Sequence, residues 1–441
     1  MNTKHKASES GQVLVLIVLT MVVLLGFTAL AVDGSMVYAD RRFSQSGADA
    51  SSLAGGAAAA LAMENSGITW NNWPCNSNPP TSTMPSSLVS ASNAAKAAAI
   101  SRAGDNDFAI DQDISDNHGV TTTCGSQTVG IWEDKFLDVH TLITRDTQTS
   151  FAHFVFKGIM RNTVEAVTRV RPRAPLSFGN AIVALNPSDQ CTTVTEGAGF
   201  HGDTTITVNG GGILSNGCLV AKDNSLVVDV NGAGAVYRTG LNTHDANSIT
   251  VDSGYSIQQM TEELAVSQYT LDPAPDCSHA SAHNLTAAQF ESDAKDAGGL
   301  APGLYCVSGN VKFNNGDTAT GTGVTIVLLS GDFTINGGAI IQFLAPAQSP
   351  DPTPAIPGLL IYAPPGYTGP IKLTGGAGSI FQGTILAPTA DITFEGDHGS
   401  CGQLSSQIIG YNVKIGGTTA VEVNYDDDLV YTKPTFLELH K

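Results

Sequence analysis

Three groups of residues have the types that could do chemistry. Asp391, Glu395 and Asp397 lie close together in the chain, and glycan hydrolysis uses two carboxylates held roughly 5–10 Å apart. They flank the turn glycine Gly396, so a solvated corner is the plainer reading. Asp105, Asp107, Asp111, Asp113 and Asp116 superficially resemble a calcium loop. Ile110 stands where an EF-hand needs Gly and no Glu closes the loop, which favours a solvated acidic segment. Cys277, His279 and His283 are metal-ligand types on one short stretch, but a cysteine at 306 offers a disulfide beside two surface histidines instead. Asp426-Asp427-Asp428 reads as a charged cap that blocks edge pairing. No GxSxG, no HExxH and no GxGxxG between a strand and a helix occurs. No catalytic, cofactor-binding or metal-binding residue is therefore assigned.

Composition points the same way. Forty acidic and 21 basic residues give the 441-residue chain a formal charge of -19, and nucleic-acid binding calls for a basic face. After Arg238 there is no Arg, only Lys295, Lys312, Lys372, Lys414, Lys433 and Lys441. A β-helix lyase would need Arg or Lys as base, and an anionic-polymer site in this half has little to be built from. The seven cysteines are widely spaced with no CxxC, which sets aside a zinc knuckle or redox motif. In an exported protein they read as disulfides; Cys75–Cys124, Cys191–Cys218 and Cys277–Cys306 are the sequence-local pairing, with Cys401 left over. Spacing alone does not fix that connectivity.

Residues 13–32, VLVLIVLTMVVLLGFTALAV, carry no charge, and about 20 apolar residues suffice for one helix to cross a bilayer. Lys4, His5 and Lys6 precede the run and Asp33 closes it, favouring a cytoplasmic N-terminus and an exported bulk despite Arg41 and Arg42. Two competing readings are a signal peptide cut after Ala31, in an Ala29-Leu30-Ala31 pattern, and a pilin-type leader cut between Gly11 and Gln12. The second would normally leave Glu at the fifth mature position, where this chain has Leu16.

Helical character continues past the membrane. Residues 33–64, without Pro and with the Ala57-to-Ala60 run, predict a helical stalk with Gly55-Gly56 as its weak point. Residues 65–172 predict a small α+β region. It has a loop over 65–86, a second helix over 87–102, strands at 120–122, 128–132, 138–143 and 163–170, and a short helix at 151–156.

From 173 to 425 the pattern changes to short β-branched pairs between Gly, Asn and Asp turns. Ile371-Lys-Leu373, Ile392-Thr-Phe394 and Val413-Lys-Ile415 stand 21 residues apart, as the coils of a parallel β-helix would. A β-sandwich, with strands recurring every 8–12 residues, is the alternative. The stretch 277–301 breaks the pattern as a helical insertion, 345–356 with its four prolines is a loop, and 426–441 is expected to cap the last coil. The fold class is mainly β: an N-terminal transmembrane helix and stalk, a small α+β region and a C-terminal solenoid.

The N-terminal third resembles the TadE/TadG-like proteins of Flp (Tad) pilus assembly. The resemblance rests on Gly11 and Gln12 opening the helix, Ala31-Val-Asp33, Arg41-Arg42, Gln45, and Ala48-Asp49-Ala50 followed by Leu53-Ala54-Gly55. That family continues its helix into an Asp-Ala-Ala-Ala-Leu-Ala-Gly run, in which Ser51 and Ser52 here replace two alanines. Residues 136–170 are similar to the small region that follows in TadG-like chains. The resemblance implies a single-pass bacterial envelope protein that takes part in building or presenting surface fibres with other pilus-assembly or cell-surface proteins; the anchor in the lipid bilayer and the cytoplasmic N-terminus (residues 1–12) follow from the apolar run and its flanking charges. It implies no cofactor and no catalysis, and it leaves self-association open. A glycan- or fibre-binding adhesin is the binding-class alternative, and a β-helix polysaccharide-active enzyme the weaker one.

Overall fold

The computed structural model describes residues 10–129, 132–151, 160–347, 354–376, 378–396 and 402–440. Cys401, Asp397 and most of the expected helix at 151–156 lie outside them. Two compact units result: Met1–Val129 with Glu133–Arg173 and Pro434–Lys441, and Ala174–Lys433 with Gly130–Trp132.

The first unit begins with α1, Ser10–Asn65, a single unbroken helix that is long and apolar enough to cross a membrane. Its residues from 13 to 32 are solvent-exposed almost throughout. Its second half is no free stalk. It packs against α2, Val89–Asp105, and against a four-stranded antiparallel sheet. That sheet is β1, Gly119–Val129; β2, Trp132–Thr147; β3, Met160–Arg171; and β4, Phe436–Leu439. Small residues make the docking close: Ser44, Ala48, Ser51, Ser52 and Ala59 on α1 and Ala91, Ala95, Ala99 and Ala103 on α2 are buried. Gly55 and Gly56, expected to weaken the helix, lie within this contact. A Cβ on Gly55 would stand 2.9 Å from both the Ala95 carbonyl oxygen and Val139 Cγ1. Cys75–Cys124 ties the loop before α2 to β1.

The second unit is a β-solenoid of about ten turns. Its coils present three faces, and coils pair in parallel, which excludes the sandwich alternative. The 21-residue spacing read from the sequence is the pairing register: Ile371, Ile392 and Val413 stack in consecutive coils.

The coils do not stack in chain order. From Asn180–Ala184 the chain winds outward through three further coils to Ile257–Gln259. Residues 260–282 then run back along the outside of one face, and winding resumes at the opposite end with His283–Thr286. The last coil finishes against the first on all three faces: Ile408 pairs with Ile182, Val413 with Ala198 and Val421 with Ile206. Asn424 accepts a hydrogen bond from Asn209 at 2.8 Å across this seam, and Asn412 accepts one from Asn186 at 2.8 Å. At the same level Gly202 adopts φ +100° with Gly417 O directly beside it, a place no side chain could occupy.

The seam corrects two expectations. The coil that is last in sequence lies in mid-stack and exposes no end, so 426–441 has no end to cap. Instead Thr432–Lys433 pairs with Ala174–Pro175, and Phe436–Leu439 becomes β4 beside β3. The stretch read as an insertion is the true cap. Helix α3, Ala287–Lys295, starts with a capping box between Thr286 and Gln289 and packs on the two strands of the next coil. Its Phe290, fully buried, meets Tyr305, Phe313 and Phe343 at ring separations of 6.2, 6.4 and 6.2 Å.

The returning strap explains why one face reads as continuous apolar runs such as Leu359-Leu-Ile-Tyr362. That face is buried on both sides. Inward residues fill the solenoid; outward Val183, Leu214, Val327, Tyr362, Leu386 and Ile409 meet Met260, Leu264, Tyr269 and Leu271 of the strap. Cys277–Cys306 fastens its far end, and Cys191–Cys218 joins a loop to a strand of the other half.

Candidate functional site

The family-motif residues all fall on one helix, α1. Gly11 and Gln12 lie in its first turns. Asp33, at the end of the exposed apolar stretch, is only 4 % exposed. Its carboxylate accepts hydrogen bonds from the backbone N–H groups of Ser150 (2.7 Å) and Phe151 (3.0 Å), so the loop after β2 is fastened where the apolar run ends. About two turns beyond, Asp40 faces Arg145 at 3.6 Å.

Gln45 donates to Asp49 at 2.8 Å and to the Glu165 carbonyl of β3 at 3.1 Å. Ser52 accepts from Thr168 of β3 at 2.9 Å. Leu53 is half-buried and Gly55 buried. At the far end of α1, Glu64 accepts from the Thr435 N–H at 3.1 Å, just before β4. The motif thus marks a docking stripe, with no nucleophile or paired acid in it.

A charged network lies on the opposite side of that sheet strand. Arg169 forks onto Asp138 with two 2.9 Å bonds and lies over the Phe136 ring, 3.5 Å from its centroid. Arg171 bridges Asp134 and Glu438 of β4, which raises its pKa further above the ordinary arginine value despite burial. The buried Arg169–Asp138 fork ties β3 to β2, and the single, partly exposed Arg171–Glu438 pair reaches β4.

Residues 11–60 match the family model described as putative Flp pilus-assembly TadE/G-like. Every motif residue named above lies in that span. No curated protein matches the chain. Among solved structures it is similar to the crystal structure of the competence-associated pilin ComZ from Thermus thermophilus. That likeness is 11% identical, covers 75% of this chain and 86% of that one, and has a TM-score of 0.27, too slight to support any inference.

The sequence-read chemical groups are dispersed by the fold. Asp113 pairs with Lys96 at 2.8 Å, Asp105 with Arg102 at 3.8 Å, and Asp111 accepts from Ser115. Cys277 is in its disulfide, His283 stacks on Tyr305 at 4.7 Å and His279 accepts from the Ser281 N–H. Asp427 accepts from the Tyr425 hydroxyl at 2.6 Å; burial and the two neighbouring aspartates raise that phenol's pKa. Asp391 accepts from Asn412 at 2.8 Å. Among the described residues no three His, Cys, Asp or Glu side chains form a group able to hold a metal ion.

Glu395 sits in richer company. On the face made by Val311–Phe313, the start of Phe333–Leu344, Ile371–Gly375, Ile392–Gly396 and Val413–Gly417, alternate side chains point outward. Pairing aligns Lys312 with Thr334, Thr334 with Lys372, Lys372 with Thr393, and Thr393 with Lys414. Glu395, beside this column, lies 2.9 Å from Lys372 and 3.9 Å from His201. Burial raises its pKa, but the Lys372 bond and the charges of Lys372, Lys414 and His201 outweigh it and leave the carboxyl below its ordinary value. His201 is shifted down by burial and by Lys414, against the pull of Glu395 and Asp223.

Sequence reasoning counted these lysines as too few. The signal lay in the middle residue of each Ile-x-Leu triplet, because that residue faces outward at the repeat spacing.

Proposed function

We propose that the chain is a membrane-anchored, extracytoplasmic structural protein of a Tad/Flp-type pilus assembly, and that it is not an enzyme. Residues 1–12 are cytoplasmic, 13–32 cross the bilayer, and the bulk from 33 onward stands outside. The observation that carries this reading is the change in α1 at Asp33: an exposed apolar stretch before it, a docked small-residue stripe after it. The family match over the same helix supports a place among other pilus-assembly proteins. Three disulfides suit an oxidising compartment. The solenoid's role is mechanical, a rigid surface held at the envelope.

The test is the intact mass of the chain in the membrane fraction of its native host, before and after an alkaline carbonate wash. A full-length, wash-resistant chain is expected. A soluble chain beginning at Val32 would overturn the anchor and favour a secreted adhesin.

A further inference from the structure

The second unit is acidic, yet its few cations are not scattered. Of its seven Lys and Arg residues between 174 and 433, Lys312, Lys372 and Lys414 occupy one outward column, against 24 Asp and Glu residues in the same span. Among the described residues only one of those acids, Glu395, projects from the five strands that form the column, while Glu291 of α3 reaches its edge and accepts from the Lys312 backbone N–H at 2.7 Å. Adjacent strands are about 4.8 Å apart, so the alternation Lys-Thr-Lys-Thr-Lys repeats its charge roughly every 9.6 Å along the stack. Among the described residues the Nζ atoms of Lys312 and Lys414 have no hydrogen-bond or ion-pair partner, while Lys372 is paired with Glu395.

We propose that this lysine–threonine column binds a linear acidic polysaccharide lying along the solenoid axis, its carboxylates on Lys312, Lys372 and Lys414 and its hydroxyls on Thr334 and Thr393. The column is straight and rigid because each member is fixed by strand pairing, so it fits a repeating polymer better than a folded partner. Single-stranded nucleic acid carries a phosphate on every nucleotide, at a spacing that varies with the strand's extension and holds to no fixed repeat. Its binding surfaces also use aromatic side chains for base stacking, and the column's outward positions carry none. A polymer with one carboxylate on every other sugar satisfies the spacing and brings the hydroxyls that threonine can bond. Glu395 competes with the polymer for Lys372. The proposal does not depend on the pilus assignment, only on access to the solenoid face.

The test measures binding of the full-length chain in detergent to oligosaccharides of alternating uronic acid and neutral sugar, at low salt and again at high salt. Affinity is expected to fall at least tenfold in the triple variant Lys312→Gln, Lys372→Gln, Lys414→Gln, and to persist when the same positions become Arg. Glu395→Gln is expected to tighten binding a few-fold, a gain that a misfolded protein would not show. The proposal is overturned if wild-type protein fails to bind the uronate at low salt, or if a neutral oligosaccharide of equal length binds as well. Tighter binding of single-stranded DNA or polyglutamate would also overturn it.

Discussion

Replacing Gly55 with Ala tests whether the family motif is a docking stripe. In an exposed helix interior this change stabilises by about 0.5–1 kcal/mol, because glycine loses more backbone freedom on folding. At Gly55 the added methyl would sit 2.9 Å from the Ala95 carbonyl oxygen and from Val139 Cγ1, and 3.2 Å from Ala99 Cβ. Two of those neighbours belong to the backbone or Cβ of α2, which can retreat only by moving the helix. Overpacking of this kind destabilises by about 1–3 kcal/mol, which outweighs the propensity gain and leaves a net loss near 1–2 kcal/mol. Gly34, with nothing within 4 Å, is the internal control: Gly34→Ala carries the propensity gain alone.

Trp73 gives the readout. It is 4 % exposed and donates to the Cys75 and Gly125 carbonyls, so its fluorescence reports unfolding of this unit. Denaturant titration should show the midpoint lowered in Gly55→Ala and unchanged or raised in Gly34→Ala. A raised midpoint in Gly55→Ala would refute the close approach of α1 to α2.

Two other outcomes follow from the solenoid. Phe290→Ala removes a fully buried ring from the capping helix and should destabilise by about 3–5 kcal/mol; hydrogen exchange should show protection lost first in 303–322, and unchanged exchange there would mean α3 is no cap. Solenoid stability should also fall as pH drops. His201, shifted down from 6.5, disfavours folding once pH passes below 6.5; Glu395, shifted down from 4.5, stabilises above 4.5 and loses that contribution as pH falls through its lower folded value. Denaturant midpoints between pH 7.5 and 4 check the sign, and a smaller acid loss is expected in His201→Gln.

Much of this architecture was legible from residue patterns, and the failures share a cause. The 21-residue spacing of Ile371, Ile392 and Val413 revealed the coil because inward side chains recur once per turn. The order of coils left no such trace: a parallel pair is held by backbone bonds and generic apolar contact, so Val421 on Ile206 looks like any other neighbour. Misplacing the stack's ends then misplaced its cap, giving 426–441 a task that α3 performs. Gly55 reads as a weak point because propensity describes an isolated helix, whereas here its missing side chain lets α2 approach. The lysine column was missed for a related reason: counting residues ignores register, and Lys312 and Lys372 are neighbours-but-one only through the fold.

The seam bears on the order in which the protein can mature. A chain delivered N-terminus first presents residues 180–259 early, with one flank of the first coil bare. That flank, built on Ile182, Ala198 and Ile206, is covered only when Ile408, Val413 and Val421 have arrived. No truncated product can therefore finish the stack, and the early half must wait with open strand edges, the form most prone to mispairing. Folding of the solenoid is, in effect, all or nothing.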